Sequence, residues 1–442
     1  MDEWKGDVRE NESRKSGRLH PARTIRHHPV VIPSLSSWHA RERAALAALV
    51  AVLLGSLVLY MHSAYGHGDI TLYHRYAQAF WLGWPPFRSL PAEYPLLSLI
   101  PFTLTLVPPL PDYVSVFAIW MLALFAAGFA VLRRREGGRV AEVCGVYLAL
   151  GCFATVLGRF DLVPAAATVL AYWAARERRF TLAYGLLAVG TLLKLYPLFL
   201  VPVLVLEQYR TLGLHPLRVT PPGPVVRNVA LFAGAVAGAF AISALLNPGG
   251  WLGPFTYNAG RPLQVESVPA SLLWLSGLLG LHVAPDHSFH SYNMVGAIAH
   301  ELSVLAELGL VAGCLWVYWL QLNGRIGFGR ALTLCLLIVV CSNRVFSPQY
   351  LMWVIPMIAI MERDYDGVWL VVCALTTLIF PYAYDLAGLH GTGTPSSYPA
   401  FFPGLIALRN GLLVFATVRF ARRSMLVRAA APDLARSTSP AA

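Results

Sequence analysis

From residue 44 to residue 419 the chain is a succession of apolar runs, most of them of helix length, parted by short polar turns. That pattern leaves few folds open. In a bilayer every backbone N–H and C=O must be satisfied within the chain, so runs of this kind pack as helices. The expected fold class is all-α, a polytopic integral membrane protein. With 57% hydrophobic and only 13% charged residues, no second soluble domain fits.

The formal charge of +11 would suit nucleic acid, but the basic residues sit in short loops beside apolar runs, where they act as topology determinants. No basic stripe with interleaved aromatics occurs, so no nucleic-acid partner is expected. Cys144, Cys152, Cys314, Cys335, Cys341 and Cys373 all fall in or beside apolar runs without metal-ligand spacing, and read as small core residues. Residues 1–43 are polar, rich in Arg, His and Pro, and read as a disordered cytoplasmic tail.

Arg41 and Arg43 precede the first run, residues 44–61, so the positive-inside rule puts them in the cytoplasm and residues 62–94 outside. Residues 69–82 read as an amphipathic helix on the membrane surface. Ile70, Tyr73, Ala77 and Phe80 form its apolar face, with Arg75 and Gln78 on the polar side. Arg133, Arg134 and Arg135 belong inside, so only one of the runs 95–107 and 113–132 crosses, and the shorter is expected to be half-inserted. Spans follow at 140–157, 162–175, 181–193, 195–207, 228–246, 297–320, 331–343, 350–361, 367–386 and 401–419, with 268–281 as a second half-element. The sum is roughly twelve crossings, with both termini cytoplasmic and residues 421–442 a second polar tail.

On this topology Arg75, Arg88, Arg159, Lys194, Arg261 and Arg344 lie outside, where cations are disfavoured and each needs a reason. Lys194 is the sharpest case, because the other lysines, Lys5 and Lys15, are in the tail. The acids on the same side are Asp69, Glu93, Asp161 and Glu266, with Asp286 and Asp385 less well placed. Cations on phosphate oxygens and carboxylates on sugar hydroxyls would suit an anionic headgroup. The alternative is structural: Arg159 with Asp161, and Arg261 with Glu266, are spaced as ordinary loop ion pairs. Tyr73, Tyr76, Trp81 and Trp84 serve equally as interfacial anchors, and His287 and His290 as surface histidines.

No Walker loop, Rossmann glycine signature, HExxH or GxSxG occurs, so a soluble nucleotide donor is not expected. Six segments nevertheless stand in a characteristic order. They are Gly68-Asp69-Ile70 with Tyr73 downstream, Glu93-Tyr94-Pro95-Leu96-Leu97, Arg159-Phe160-Asp161-Leu162, Leu193-Lys194-Leu195-Tyr196-Pro197, Gln264-Val265-Glu266-Ser267 and Phe346-Ser347-Pro348-Gln349-Tyr350. Together they resemble glycosyltransferase family 87 of the membrane-embedded GT-C class. Leu96 stands where that family usually has a second Pro, and Arg159 where it commonly has Asn.

The resemblance implies a hexosyltransferase that moves a sugar, mannose being the best-known one, from a polyprenyl-phosphate donor to a lipid or glycolipid acceptor at the outer face of a bacterial plasma membrane. It implies Asp69 as catalytic base. Tyr73, Arg75, Glu93, Tyr94, Arg159, Asp161, Lys194, Tyr196, Arg261, Gln264, Glu266, Arg344 and Gln349 are the expected substrate-binding set, with Lys194 and Arg344 on the donor phosphate. Such a donor needs one base and fixed cations but no general acid, so no cofactor or metal is expected. The competing expectation is a lipid or solute transporter, but transporters gather charges at the bilayer midplane.

Overall fold

The computed structural model describes residues 68–82, 90–91, 93–107, 112–217, 219–389 and 393–437, together with Gly55, and side chains as far as Met425. The amino-terminal tail, the first expected span apart from Gly55, Trp84 and Arg88 lie outside the described residues.

The helices fall into two classes by length. Long ones are α3 (Tyr113–Glu136), α8 (Gly223–Leu246), α11 (Ala299–Leu322), α14 (Gly367–Thr377, carried on past Pro381 to Leu386) and α15 (Phe401–Ser437). These are the five described helices long and apolar enough to cross a membrane. At 24 residues, α3, α8 and α11 each reach about 36 Å, more than the roughly 30 Å hydrocarbon core requires. Only 11% of the apolar stretch of α8 and of α11 is buried in protein, so both turn most of their surface outward.

Short ones are α4 (Gly138–Gly151), α5 (Leu162–Arg176), α6 (Phe180–Leu193), α7 (Val201–Thr211), α12 (Phe328–Cys341) and α13 (Leu351–Glu362). They run from 11 to 15 residues, about 16 to 23 Å, too short to span alone. Of the roughly twelve crossings expected from the sequence, five described helices have the length and apolarity to cross, and the others described are shorter. The reason is burial: α12 is buried without interruption from Ala331 to Val340, and α13 from Leu351 to Ile360 except at Pro356. A helix enclosed by protein can break at membrane depth, because its neighbours satisfy the freed backbone groups.

The breaks are written locally. Tight turns carry the chain from Cys152 to Asp161. Lys194 is extended, and a 3₁₀ turn, Tyr196–Leu200, begins with Pro197 near its start. A similar turn, Pro348–Tyr350, precedes α13. Gly190 allows the second break, since a Cβ there would sit 3.2 Å from Pro197 Cγ. Lipid tails are as apolar as the core, so burial alone does not hold these helices together, and cross-helix polar bonds contribute about 0.6 to 2 kcal/mol each. Tyr318 donates to the Phe199 carbonyl at 2.7 Å, and Gln321 to that of Val203 at 3.0 Å.

Three lesser helices border the breaks. They are α1 (Gly68–Leu82), α2 (Leu99–Leu104) and α9 (Gly253–Gly260). The expected half-inserted run is a 3₁₀ turn, Leu96–Ser98, followed by α2, and the second is α10 (Val268–Leu278), capped by Ser267. The expected all-α architecture needs one amendment. A small antiparallel sheet forms from β1 (Leu263–Gln264), β2 (Val283–Ser288) and β3 (Ser291–Gly296), in the order β1-β3-β2.

Charges sort to the two ends. At one end Arg135 pairs with Glu177, Glu136 with Arg176 and Arg363 at 3.2 Å each, Arg139 with Asp364 at 2.6 Å, Arg330 with Glu362 at 3.3 Å, and Arg419 with Asp366. Every one of those arginines lies in a turn or helix end assigned to the inside by the sequence. The residues assigned to the outside gather at the other end.

Candidate functional site

The cluster at this second end begins with Asp69 in the first turn of α1. Ile70, Tyr73 and Ala77 are fully buried on the inner face of this helix, which fixes its roll and leaves Asp69 at the edge of the bundle. Arg159, from the break between α4 and α5, places its Nε 2.9 Å from Asp69 Oδ2. Two residues on, Asp161 is fully buried. Its Oδ1 accepts from Lys194 Nζ at 2.6 Å and from Trp353 Nε1 at 2.7 Å, while Oδ2 has no partner among the described residues.

Lys194 sits in a box of rings, its Nζ 5.1 Å from the centre of Trp353, 5.3 Å from Tyr350, 5.4 Å from Phe160 and 5.7 Å from Tyr94. Burial pulls its ammonium below the usual lysine range, and Asp161 opposes that pull. The rings and Asp161 together replace the water the ammonium has lost. Tyr196 lines the same wall. Its ring stacks on Trp353 at 4.3 Å, and its hydroxyl meets Thr168 Oγ1 at 3.2 Å.

Around this core, Glu93 accepts from Tyr76 Oη at 2.5 Å, which ties α1 to the turn before α2. Arg261 follows α9. Burial pushes Tyr350 and Tyr257 up to about 12; Arg261 opposes this at both, and the Asp69 charge reaches both. The Arg261 guanidinium carbon lies 5.5 Å from the centre of the Tyr257 ring, on the helix whose Pro254 approaches Tyr94 of the Lys194 box. A recess lined by Leu90, Tyr94, Leu96, Phe240, Trp251 and Pro254 opens beside it.

Other expected residues have different employment. Tyr73 is no interfacial ring: it is fully buried and stacked on Phe102 at 4.3 Å. Arg75 is exposed on the far side of α1. The Arg261–Glu266 pair is not formed. Arg261 donates to Ser291 Oγ at 3.0 Å, and Glu266 instead meets Arg409 Nη2 at 3.4 Å and Tyr384 Oη at 3.1 Å. Gln264 receives the Phe346 N–H on its side-chain oxygen at 3.2 Å, and Gln349 the Ser347 hydroxyl at 2.5 Å, so both brace loops. Arg344 Nη1 donates to the carbonyls of Ala259 and Arg261, and Nη2 engages Glu307. His287 packs against Tyr292 and His290 is exposed, as surface histidines would be. Among the described residues no group of three or more His, Cys, Asp or Glu is arranged to hold a metal.

Two of the breaks that build this cluster, at residues 152–161 and 194–200, lie within residues 93–348, over which the chain matches the family model for glycosyltransferase family 87. The chain belongs to glycosyltransferase family 87. No curated protein matches it. The family 87 match covers Glu93, Tyr94, Arg159, Asp161, Lys194 and Arg261, and leaves Asp69 and Arg409 on either side. Membership makes this membrane protein a glycosyltransferase.

Some site residues of the family 87 chain escaped the sequence reading. Trp353 and Tyr257 lie in aromatic-rich stretches with nothing local to distinguish them. Arg409 did carry a signal, since an arginine in the middle of an apolar run is an exception that asks for a buried partner.

Proposed function

We propose that the protein is an inverting hexosyltransferase that takes a sugar, best matched by mannose, from a polyprenyl-phosphate donor and passes it to a lipid or glycolipid acceptor at the outer face of the plasma membrane. The observation that carries the reading is the convergence of one accessible carboxylate, Asp69, with Arg159 and the buried Asp161–Lys194–Trp353 group beside an apolar recess. A carboxylate suits a hydroxyl proton, cations suit a phosphate, and the recess offers an apolar wall beside them.

In the proposed step the acceptor oxygen attacks the anomeric carbon opposite the phosphate. The bond to phosphate breaks, and the hydroxyl proton passes to Asp69. The electron pair leaves with polyprenyl phosphate, whose growing charge Arg159 and Arg261 stabilise. Arg159 pairs with Asp69 Oδ2 through Nε and donates from Nη1 to the Gly158 carbonyl at 3.2 Å, which sets its positive charge beside the proposed base. Lys194 adds positive potential from within its ring box. Tyr94, which lines the recess, and its neighbour Glu93 are assigned to the donor sugar.

The test is transfer by the purified full-length protein in detergent, with polyprenyl-phosphate mannose offered against a nucleotide sugar and the product read by mass spectrometry. Asp69→Asn keeps the shape and cannot take the proton, so it should still bind donor and transfer at least about 100-fold more slowly. Retention of more than about a tenth of the wild-type rate, a loss below roughly 1.4 kcal/mol, would move the base elsewhere.

A further inference from the structure

Arg261 is held at both its backbone and its side chain. Its carbonyl and that of Ala259 accept from Arg344 Nη1 at 3.1 and 2.9 Å, while Glu307 on α11 anchors the other side of that guanidinium. Its own Nη2 donates to Ser291 Oγ at 3.0 Å, and its guanidinium carbon lies 5.5 Å from the centre of the Tyr257 ring. Tyr257 donates in turn to the Phe289 carbonyl at 3.0 Å and meets the Phe289 ring edge-on at 5.2 Å. Phe289 and His290 turn the β2–β3 hairpin at φ of +53° and +52°, a left-handed pair uncommon outside Gly, Asn and Asp. The hairpin tip is therefore fastened to Tyr257 and Arg261 rather than projecting freely.

Three further facts bear on what this arrangement presents. Pro254, at the start of α9, lines the recess beside Tyr94, and Tyr257 lies one turn further along the same helix face. Arg261 Nε is buried and has no partner among the described residues. Arg344, by contrast, has both terminal nitrogens engaged by protein oxygens.

We propose that Arg344 and Ser291 are positioning residues, which with the β2–β3 hairpin clamp Arg261 so that its unpartnered Nε–H is kept for the donor phosphate, and that neither touches the phosphate. An arginine fixed before binding loses little freedom on meeting its ligand, so release of the clamp costs affinity rather than the rate of the chemical step. The inference rests on the reading of a phosphate-bearing lipid donor.

The experiment measures binding of a short-chain polyprenyl phosphate to the full-length protein in detergent, and donor KM and kcat, in Ser291→Ala, Arg344→Gln, Arg344→Lys and Arg261→Ala and in their combinations. Ser291→Ala and Arg344→Gln should each weaken binding about 3- to 10-fold and raise KM more than they lower kcat. Placed on Arg261→Ala, the same changes should cost less than about 2-fold, because they act through the missing side chain. Arg344→Lys keeps the charge but loses the two-carbonyl fork, and should behave like Arg344→Gln. Additive losses, unchanged binding in Ser291→Ala, or full retention by Arg344→Lys would each overturn the clamp. If Arg344 variants do not fold, judged by melting and elution, the Ser291–Arg261 pair decides alone. Binding requires no turnover, so the outcomes separate. A fast Asp69→Asn with non-additive clamp variants removes the proposed base and keeps the clamp; a slow one with additive variants does the reverse. A wild-type protein that does not bind polyprenyl phosphate overturns both.

Discussion

Lys194 shows how far a single residue can be read from sequence. It stands out as the one lysine outside the tail, and in the structure it lies among four aromatic rings against Asp161. Its partner was not legible, because Asp161 lies two residues from Arg159, which looked like the natural mate, and the choice between the two cations is made by packing between helices. That choice has an energetic consequence. Asp161 is fully buried and the Lys194 side chain only 14% exposed, so removing one charge strands the other in a ring-lined site. Asp161→Ala should destabilise the protein by about 3 to 5 kcal/mol, and Asp161→Ala with Lys194→Met should recover part of the loss. Thermal melting in detergent measures both. A double variant less stable than Asp161→Ala would mean that the pair holds the fold in some way other than mutual neutralisation. Arg409 was legible and went unread: it lies within the last apolar run, fully buried, with its guanidinium carbon 4.0 Å from the centre of the Phe346 ring.

Among the elements, the breaks were easier to read than the lengths. Pro197 and Pro348 mark two of them, since proline removes a backbone donor and suits the first turn of a new helix. That α4 to α7, α12 and α13 end short was not legible, because an apolar run looks the same whether lipid or protein surrounds it. The hairpin was hidden for a different reason. Its turn is Phe289-His290, without the Asn-Gly or Asp-Gly that signals a two-residue loop, and tertiary contacts impose the left-handed backbone. Gly296 closes β3 where a Cβ would lie 2.4 Å from the His282 carbonyl and 3.3 Å from Leu273 on α10. Gly296→Ala should therefore prise the hairpin from α10 at a cost of about 1 to 3 kcal/mol. An unchanged melting temperature in that variant would show that the hairpin can give way without cost.

Over the whole molecule, the sorting of charges was the most legible property, because arginine clusters report topology whatever the helix lengths. Single cysteines at positions 69 and 261 should react with an impermeant thiol reagent added outside, and those at 137 and 325 should not. The native cysteines are buried or, at Cys341, half-buried, so background labelling should be low. Outside labelling at 137 would overturn the half-inserted reading of residues 95–107, whereas protection of 69 and 261 would reverse the orientation on which the proposed function depends. The long outer helices and short central ones also govern how reagents arrive. With α4 to α7, α12 and α13 only 11 to 15 residues long beside spanning helices of 24, a polyprenyl-phosphate donor as proposed would reach the site sideways from the leaflet rather than from water. Turnover should then obey surface-dilution kinetics. In proteoliposomes the rate should follow the mole fraction of donor in the lipid and stay constant when more vesicles of the same composition are added. A rate that rose with bulk donor at fixed mole fraction would point to capture from solution.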